Sequence, residues 1–183
     1  MRTMERKGLL SIAVAGLAAG GLLLAGAARA DEGELGVKAA FLYNFTKFVE
    51  WPSKAFPSAD APITLCTMGD PSVAGEVQKV VADRSAQNRA VKVRAATDAD
   101  VHSCQVVYVP DAAGASAPAV IAAAKTSGAL TVGESSGFLA QGGMIVFTKQ
   151  DNKLRFEINE GAAKGAGLKI SSKLLSLAKS SGG

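Results

Sequence analysis

The chain has few of the side chains that enzymes use to make and break bonds. Its 183 residues include one histidine, two cysteines and one tryptophan. A triad containing histidine would have to use His102, which stands two residues before Cys104 in a polar turn. Asp98 and Asp100 add potential metal ligands, but the group lacks the paired spacings of specific zinc motifs. The sequence therefore predicts a protein that is not an enzyme and that holds neither a metal ion nor another cofactor.

The N-terminus has the three parts of a secretory signal peptide. Residues 1–7 are basic, residues 8–27 are uncharged and apolar, and Ala28-Arg29-Ala30 places small residues where signal peptidase requires them. We predict a signal peptide at 1–30, cleaved after Ala30, and one exported domain at 31–183, in the periplasm. The apolar run of about twenty residues would also suffice for a retained membrane anchor, although its abundant Ala and Gly disfavour that alternative.

The predicted mature domain, residues 31–183, has no large excess of charge of either sign. Of 20 basic and 16 acidic residues, 16 and 15 lie in the predicted mature domain. No cluster of Lys and Arg with interleaved aromatic residues appears there, which argues against binding to nucleic acid. The mature length suits one domain with a single core.

The segment KAAFLYNFTKFVEWP, residues 38–52, contains half of the ten aromatic side chains. Its apolar residues recur at helical spacing, so the segment predicts an amphipathic helix that packs against a core. Pro52 cannot donate a backbone hydrogen bond and restricts the residue before it, so we expect this helix to end near Glu50.

Short apolar runs and amphipathic segments alternate after Pro52. Such repeated strand, helix, strand units favour a parallel sheet with helices on its faces. The all-apolar run QVVYV predicts a central strand, whereas MIVFT and KLRFEIN, on either side of the turn at 150–152, predict an antiparallel hairpin. We thus predict an α/β fold, a single three-layer domain whose mixed sheet is parallel at its centre. The predicted strands are 63–68, 90–94, 105–109, 129–133, 144–148 and 153–159, and the predicted helices are 71–83, 117–125, 161–167 and 168–179.

Four segments resemble the YfiR-like (HmsC-like) family of periplasmic repressors. They are KAAFLYNFTKFVEWP at 38–52, SGFLAQGGMIVF at 136–147, LRFEIN at 154–159 and LKISSKLLSLAK at 168–179. The resemblance implies a non-enzymatic regulator that holds the periplasmic sensor domain of an inner-membrane diguanylate cyclase inactive. Cyclic di-GMP and biofilm formation would fall as a result. It also implies a homodimer, and it leaves the releasing signal open.

Cys66 and Cys104 are the only cysteines of a chain predicted to be exported, and each lies in or beside a predicted core strand. We expect a disulfide between them, which the YfiR-like family also implies. Closing a loop of about 39 residues would stabilise the fold by roughly 4 kcal/mol. The alternative is a pair of buried thiols whose Cα atoms lie too far apart to bridge.

A small-ligand site is the alternative function. In open α/β sheets, ligands bind in the loops that follow the carboxyl ends of parallel strands. Polar residues occupy those loops in this chain, and turn or cap chemistry is the competing explanation for them. The predicted cleft residues are Asp70, Asp111, Glu134, Ser135 and Ser136.

A protein partner would need accessible apolar and polar surface. Trp51 and Phe56 follow the first helix in a segment bounded by prolines, and the leucines of the last predicted helix span more than one narrow face. Each of these features is also common in cores. The candidate partner residues are Trp51, Phe56, Arg155, Glu157, Leu174, Leu175 and Leu177.

Overall fold

The structure, a computed structural model, describes residues 24–178. Short 3-10 helices occupy Ser53–Ala55, Asp98–Ser103 and Asp111–Ser116. The other elements of this part of the chain are, in order, α1 (Leu24–Phe48), β1 (Val49–Glu50), β2 (Ile63–Met68), α2 (Pro71–Val81), β3 (Ser85–Ala86), β4 (Arg89–Ala96), β5 (Val106–Val109), α3 (Ala117–Ser127), β6 (Leu130–Gly133), β7 (Ile145–Gln150), β8 (Lys153–Ile158), α4 (Glu160–Gly165), β9 (Lys169–Ile170) and α5 (Ser172–Leu177).

One mixed sheet of seven strands has the order β3-β4-β2-β5-β6-β7-β8. The five inner strands are parallel, whereas β3 and β8 at the two edges are antiparallel to their neighbours. β5 lies at the centre and all four of its residues are buried. The predicted α/β class, the parallel centre and the C-terminal antiparallel hairpin are confirmed.

Helices pack on both faces of the sheet, which gives the predicted three layers. Leu65 and Tyr108 face a larger core that includes residues of α1, α2, α4 and α5. Cys66 and Val107 face a smaller core that includes residues of α3. The two cores separate in this way because successive side chains of a strand point to opposite faces.

α1 supplies much of the aromatic part of the larger core. Phe41 and Phe45 contact Phe147 of β7 and Phe156 of β8, with ring centroids 5.2–6.0 Å apart. Such aromatic pairs add about 0.5–1.5 kcal/mol each beyond the burial of their area. The helix is thereby packed firmly against the β7–β8 hairpin, a contact that positions the site described below.

The predicted end of the first helix is wrong by two residues. α1 ends at Phe48, and Val49–Glu50 form β1, which pairs antiparallel with β9. Pro52 restricts the chain as expected, but the strand pairing ends the helix earlier. At its other end α1 extends back to Leu24, before the predicted start.

The predicted helix at 168–179 is wrong in its first part. Lys169–Ile170 are β9, and α5 occupies only Ser172–Leu177. The side chain of Ser171 caps α5 by accepting a hydrogen bond from the backbone N–H of Leu174 at 3.2 Å. This cap separates the strand from the helix. Lys179 lies outside the described residues.

Most of the predicted signal peptide, residues 1–23, also lies outside the described residues. The predicted cleavage position after Ala30 falls within α1, whose backbone is described from Leu24 in the uncleaved chain. Between residues 24 and 178, no helix has both the length and the apolar composition needed to cross a bilayer.

Candidate functional site: a charged cavity and a disulfide

A cavity of about 710 Å³ opens at the carboxyl ends of β5 and β6. Asp111 follows β5 and Glu134 follows β6, so two neighbouring parallel strands bring both carboxylates to one edge of the sheet. Ser135 and Ser136 continue the loop after Glu134 and also line the cavity. Four of the five predicted cleft residues therefore lie together, around a volume typical of small-molecule sites. Their role in binding stays a prediction.

Asp70, the fifth predicted cleft residue, caps a helix elsewhere. Its carboxylate accepts a hydrogen bond from the backbone N–H of Ser72 at 2.8 Å, at the start of α2. This bond lowers the pKa of Asp70. Helix capping, the alternative to a role in ligand binding, thus explains why an aspartate occupies position 70.

Lys38 on α1 is the centre of an ion-pair network on the cavity wall. Its ammonium group lies 2.6 Å from Oε1 of Glu134 and 2.9 Å from Oε1 of Glu34. Lys149 of β7 contacts the other oxygen of Glu34 at 2.5 Å. The network, which we call the Lys38 network, joins α1, β7 and the loop after β6. Only 14% of the side-chain surface of Lys38, and of Glu134, is exposed.

Burial and ion pairing shift the pKa values of Lys38 and Glu34 in opposite directions. Desolvation alone would lower the pKa of Lys38, but hydrogen bonds to Glu134 and Glu34 together outweigh it, and the pKa is raised. Hydrogen bonds from Lys149 and then from Lys38 lower the pKa of Glu34. Lys38 and Glu34 are thus both held in their charged forms at neutral pH.

Tyr108 of β5 extends the network into the core. Its hydroxyl donates a hydrogen bond to Oε1 of Glu134, and the backbone N–H of Asp111 donates to Oε2 at 3.2 Å. Burial, together with the neighbouring carboxylate of Glu134, raises the pKa of Tyr108 far above its ordinary value. The phenol therefore stays protonated and acts as a fixed donor, not as a base.

Sequence reasoning missed Glu34, Lys38 and Lys149 as site residues. Glu34 and Lys38 did carry a signal, because opposite charges four residues apart on a helix lie side by side. Lys149 carried none, since its contact with Glu34 depends on how the hairpin packs against α1.

The loop between β6 and β7 forms an apolar part of the cavity wall. Phe138 is fully buried beside Gly133 and Gly143. A Cβ on Gly143 would lie 2.7 Å from the carbonyl oxygen of Phe138 and would collide with its ring. Close packing around the Phe138 ring thus explains Gly143 of the SGFLAQGGMIVF segment, whereas Gly137 and Gly142 adopt positive φ angles that favour glycine.

The outer face of the hairpin also borders the cavity. Val146, Thr148 and Glu157 line it, and Arg155, two residues before Glu157 on the same face, is exposed. Of the two predicted partner residues on β8, Arg155 is therefore the more accessible and Glu157 belongs partly to the cavity.

Trp51 and Phe56 are half-buried against the larger core. The indole N–H of Trp51 donates to the carbonyl oxygen of Gln105 at 3.1 Å, and its ring meets Phe56 edge to face at 6.5 Å. The guanidinium of Arg89 lies 3.9 Å from the ring centroid of Phe56. These two rings thus serve the core while keeping part of their surface accessible.

The leucines of α5 divide by exposure. Leu174 is buried in the larger core, and Leu175 packs against that core while partly exposed. Leu177 is 61% exposed, one of two large apolar side chains so exposed among the described residues. Leu177 is therefore the accessible leucine among the predicted partner residues.

Cys66 and Cys104 form the predicted disulfide, with their Cα atoms 5.9 Å apart and 38 positions apart in sequence. Cys66 lies on β2 and Cys104 directly follows the 3-10 helix at Asp98–Ser103, just before β5. Both are buried in the smaller core. The bond thus joins β2 to the segment that leads into the neighbouring strand β5, and the alternative of unbridged thiols is wrong.

Asp100 organises the turn before Cys104. The backbone N–H and the hydroxyl of Thr97 donate to Oδ2 of Asp100 at 2.8 Å and 2.7 Å, and Arg94 donates to Oδ1 at 3.1 Å. These bonds, in that order of importance, lower the pKa of Asp100 to about 2. His102 is exposed in the same turn, as predicted. The described residues contain no group of three His, Cys, Asp or Glu side chains placed to hold a metal ion.

The fold and the site define a class: a three-layer α/β domain with disulfide-linked central strands and a charged cavity at the carboxyl edge of its sheet. The family model for YfiR/HmsC-like proteins matches residues 36–179, so the chain belongs to the YfiR/HmsC-like family. This is a family of regulators and not of known enzymes.

Two solved structures are similar to part of the chain. A conserved domain protein from Vibrio cholerae O1 biovar eltor strain N16961 has a TM-score of 0.48 and 15% identity, covering 64% of this chain and 54% of that one. The ABC domain from Streptococcus pneumonia, solved in complex with L-Trp, has a TM-score of 0.46 and 13% identity, covering 63% and 53%. The chain spans about half the length of each. No curated protein matches it.

Proposed function

We propose that this protein is a non-enzymatic periplasmic regulator of cyclic di-GMP signalling. It binds the periplasmic sensor domain of an inner-membrane diguanylate cyclase and represses the enzyme, which lowers cyclic di-GMP and biofilm formation. The observation that carries the proposal is the match of the YfiR/HmsC-like model over residues 36–179. The signal peptide predicted at 1–30 and the Cys66–Cys104 disulfide support export to an oxidising compartment.

Repression of this kind works through contact with the partner. The accessible candidates are Arg155 on the edge strand β8, Leu177 at the end of α5, and the half-exposed rings of Trp51 and Phe56. Aromatic and Arg side chains supply most of the binding energy in many interfaces. Self-association as a homodimer is part of the proposal, and light scattering on the purified exported protein tests it.

Retrieval of the partner tests the proposal. The tagged, exported protein should retrieve from solubilised inner membranes a membrane protein that carries a cytoplasmic cyclase domain. Arg155→Glu should weaken this retrieval, because it reverses an exposed charge on the edge strand. Lys92→Glu, an equal change at an exposed site on β4, is the matched control. A folded wild-type protein that retrieves no such membrane protein would contradict the proposal.

Binding of a small ligand is the second candidate function. The cavity of about 710 Å³ favours it, because apolar walls meet the Lys38 network there at the carboxyl ends of two parallel strands. Calorimetry against periplasmic metabolites and nucleotides at millimolar concentration tests this candidate. A ligand of the cavity should bind less tightly to the Glu134→Gln variant, and the absence of any binding would remove the candidate.

A further inference from the structure

Cations and aromatic rings alternate along the surface at the end of α1. The guanidinium of Arg84 lies 5.0 Å from the ring centroid of Tyr43. The ammonium of Lys47 lies 5.5 Å from the centroid of Tyr43 and 6.0 Å from that of Phe48. Lys173 of α5 lies 5.3 Å from the centroid of Phe48. We call these five residues, Tyr43, Lys47, Phe48, Arg84 and Lys173, the cation–aromatic stripe.

The fold assembles this stripe from three separate segments, which is why the sequence alone shows no basic cluster with aromatic residues. The hydroxyl of Tyr43 donates to the carbonyl oxygen of Ser85 at 2.9 Å, which holds its ring beside Arg84. Pairing of Glu50 in β1 with Lys169 in β9 places the start of α5 against the end of α1. A further exposed cation, Lys169, thereby joins the same region.

The three cations of the stripe lack acidic partners within the described chain. Among the described residues, no carboxylate oxygen lies within 4.0 Å of the cationic nitrogens of Lys47, Arg84 or Lys173. All three side chains are exposed. The nearest acidic residues in sequence, Glu50 and Asp83, form no ion pair with them. The stripe therefore presents uncompensated positive charge to an anionic surface.

Apolar atoms lie among these charges. The rings of Tyr43 and Phe48 are half-buried, and Leu177, one helical turn after Lys173, is 61% exposed. Lysine stems that run along ring faces carry their ammonium groups outward. Cations mixed with aromatic and aliphatic side chains suit the boundary between lipid headgroups and acyl chains.

We propose that the cation–aromatic stripe binds the anionic headgroups of a phospholipid bilayer. An acidic peptide would share the charge complementarity, but the exposed Leu177 and the ring edges of the stripe favour a surface that is both anionic and apolar. Bound in this way, the protein would lie at the membrane face where its proposed partner is embedded. The binding is a property of this chain alone and holds whether or not that partner is a cyclase.

Co-sedimentation with vesicles tests the proposal. The protein is taken from the periplasmic fraction, because a retained N-terminal apolar segment would itself bind lipid. It should sediment with vesicles of equal parts phosphatidylglycerol and phosphatidylcholine and not with phosphatidylcholine alone, and added salt should release it. Lys47→Glu combined with Lys173→Glu should lower the partition coefficient more than about tenfold, since each cation near the surface contributes to binding.

Lys125→Glu combined with Lys153→Glu is the matched control, because both side chains are exposed and lie on α3 and β8, which contribute no residue to the stripe. This control should stay within about twofold of the wild type. Lys47→Gln with Lys173→Gln repeats the test if the reversal variant fails to fold. Equal loss in the stripe and control variants would overturn the proposal. Binding of a polyglutamate peptide without binding to anionic vesicles would overturn it as well.

Discussion

Glu134 holds three groups at once. Its carboxylate accepts hydrogen bonds from the hydroxyl of Tyr108 and the backbone of Asp111 and pairs with Lys38. Because these contacts are largely buried, the loss of the charge should leave Lys38 poorly compensated. The negative charge of Glu134 should therefore contribute to the stability of the cavity wall.

Glu134→Gln should lower the free energy of unfolding by about 1–3 kcal/mol, as expected when a buried ionic contact loses one partner. Urea denaturation at neutral pH measures the change. Glu76→Gln, which removes the charge from a well-exposed ion pair on α2, is the control and should change the free energy by less than about 1 kcal/mol. Equal small effects at both sites would show that the Lys38 network does not stabilise the cavity.

The lowered pKa of Asp100 predicts how the stability of the fold changes with pH. Its pKa in the folded protein, about 2, lies below its ordinary value of 3.8. A depressed pKa stabilises the fold above pH 4 or so, and this contribution is lost as the pH falls from about 4 to about 2. The stability difference between wild type and Asp100→Asn should therefore shrink over that interval, as urea denaturation at several pH values would measure. Asp98→Asn, in the same turn, is the control, and a difference constant with pH at Asp100 would contradict the assignment.

The disulfide acts between elements, because it joins β2 to the segment that leads into β5. Its loop of 38 positions predicts about 4 kcal/mol of stabilisation from reduced entropy of the unfolded chain. The Cys66→Ala, Cys104→Ala double variant should lose a similar amount and should not respond to reductant. Urea denaturation of both proteins, with and without dithiothreitol, measures this. A wild type equally stable in both conditions would contradict the structural role.

The loop between β6 and β7 depends on glycine at positions that touch Phe138. Gly143→Ala should destabilise the fold by about 1–3 kcal/mol, because the new methyl group would collide with the ring and backbone of Phe138. Gly165→Ala, near the end of α4, has nothing within 4 Å of the added carbon and is the matched control. Thermal unfolding compares the two. Similar melting temperatures would show that the loop moves aside.

Elements with a clear period and a clear end were predictable from the sequence. The bounds of β2 match because polar turns surround ITLCTM, and the hairpin matches because Asp151 and Asn152 adopt positive φ angles in a two-residue turn. β1 and β9 were missed since strands of two residues have no measurable period. Glu134 was predicted from its place after a parallel strand, whereas Lys149 reaches the site only through tertiary packing.

At the scale of the whole molecule, two regions of the surface differ in their charge and in their pairing. The carboxyl edge of the sheet carries a cavity with ion pairs, and the end of α1 carries cations without acidic partners among the described residues. A regulator that acts at a membrane can use the cavity to bind a ligand or a signal and the cations to orient itself on the bilayer. This arrangement gives the proposed repressor a physical route to a membrane-embedded partner.

The intracellular level of cyclic di-GMP, measured by mass spectrometry, tests the central claim most directly. Cells of the native host that lack the protein are compared with cells that express it with its signal peptide. Loss of the protein should raise cyclic di-GMP and exported expression should restore the low level, because the proposed repression of the cyclase acts from the periplasm. An unchanged level in both strains, with the protein folded and exported, would contradict the account.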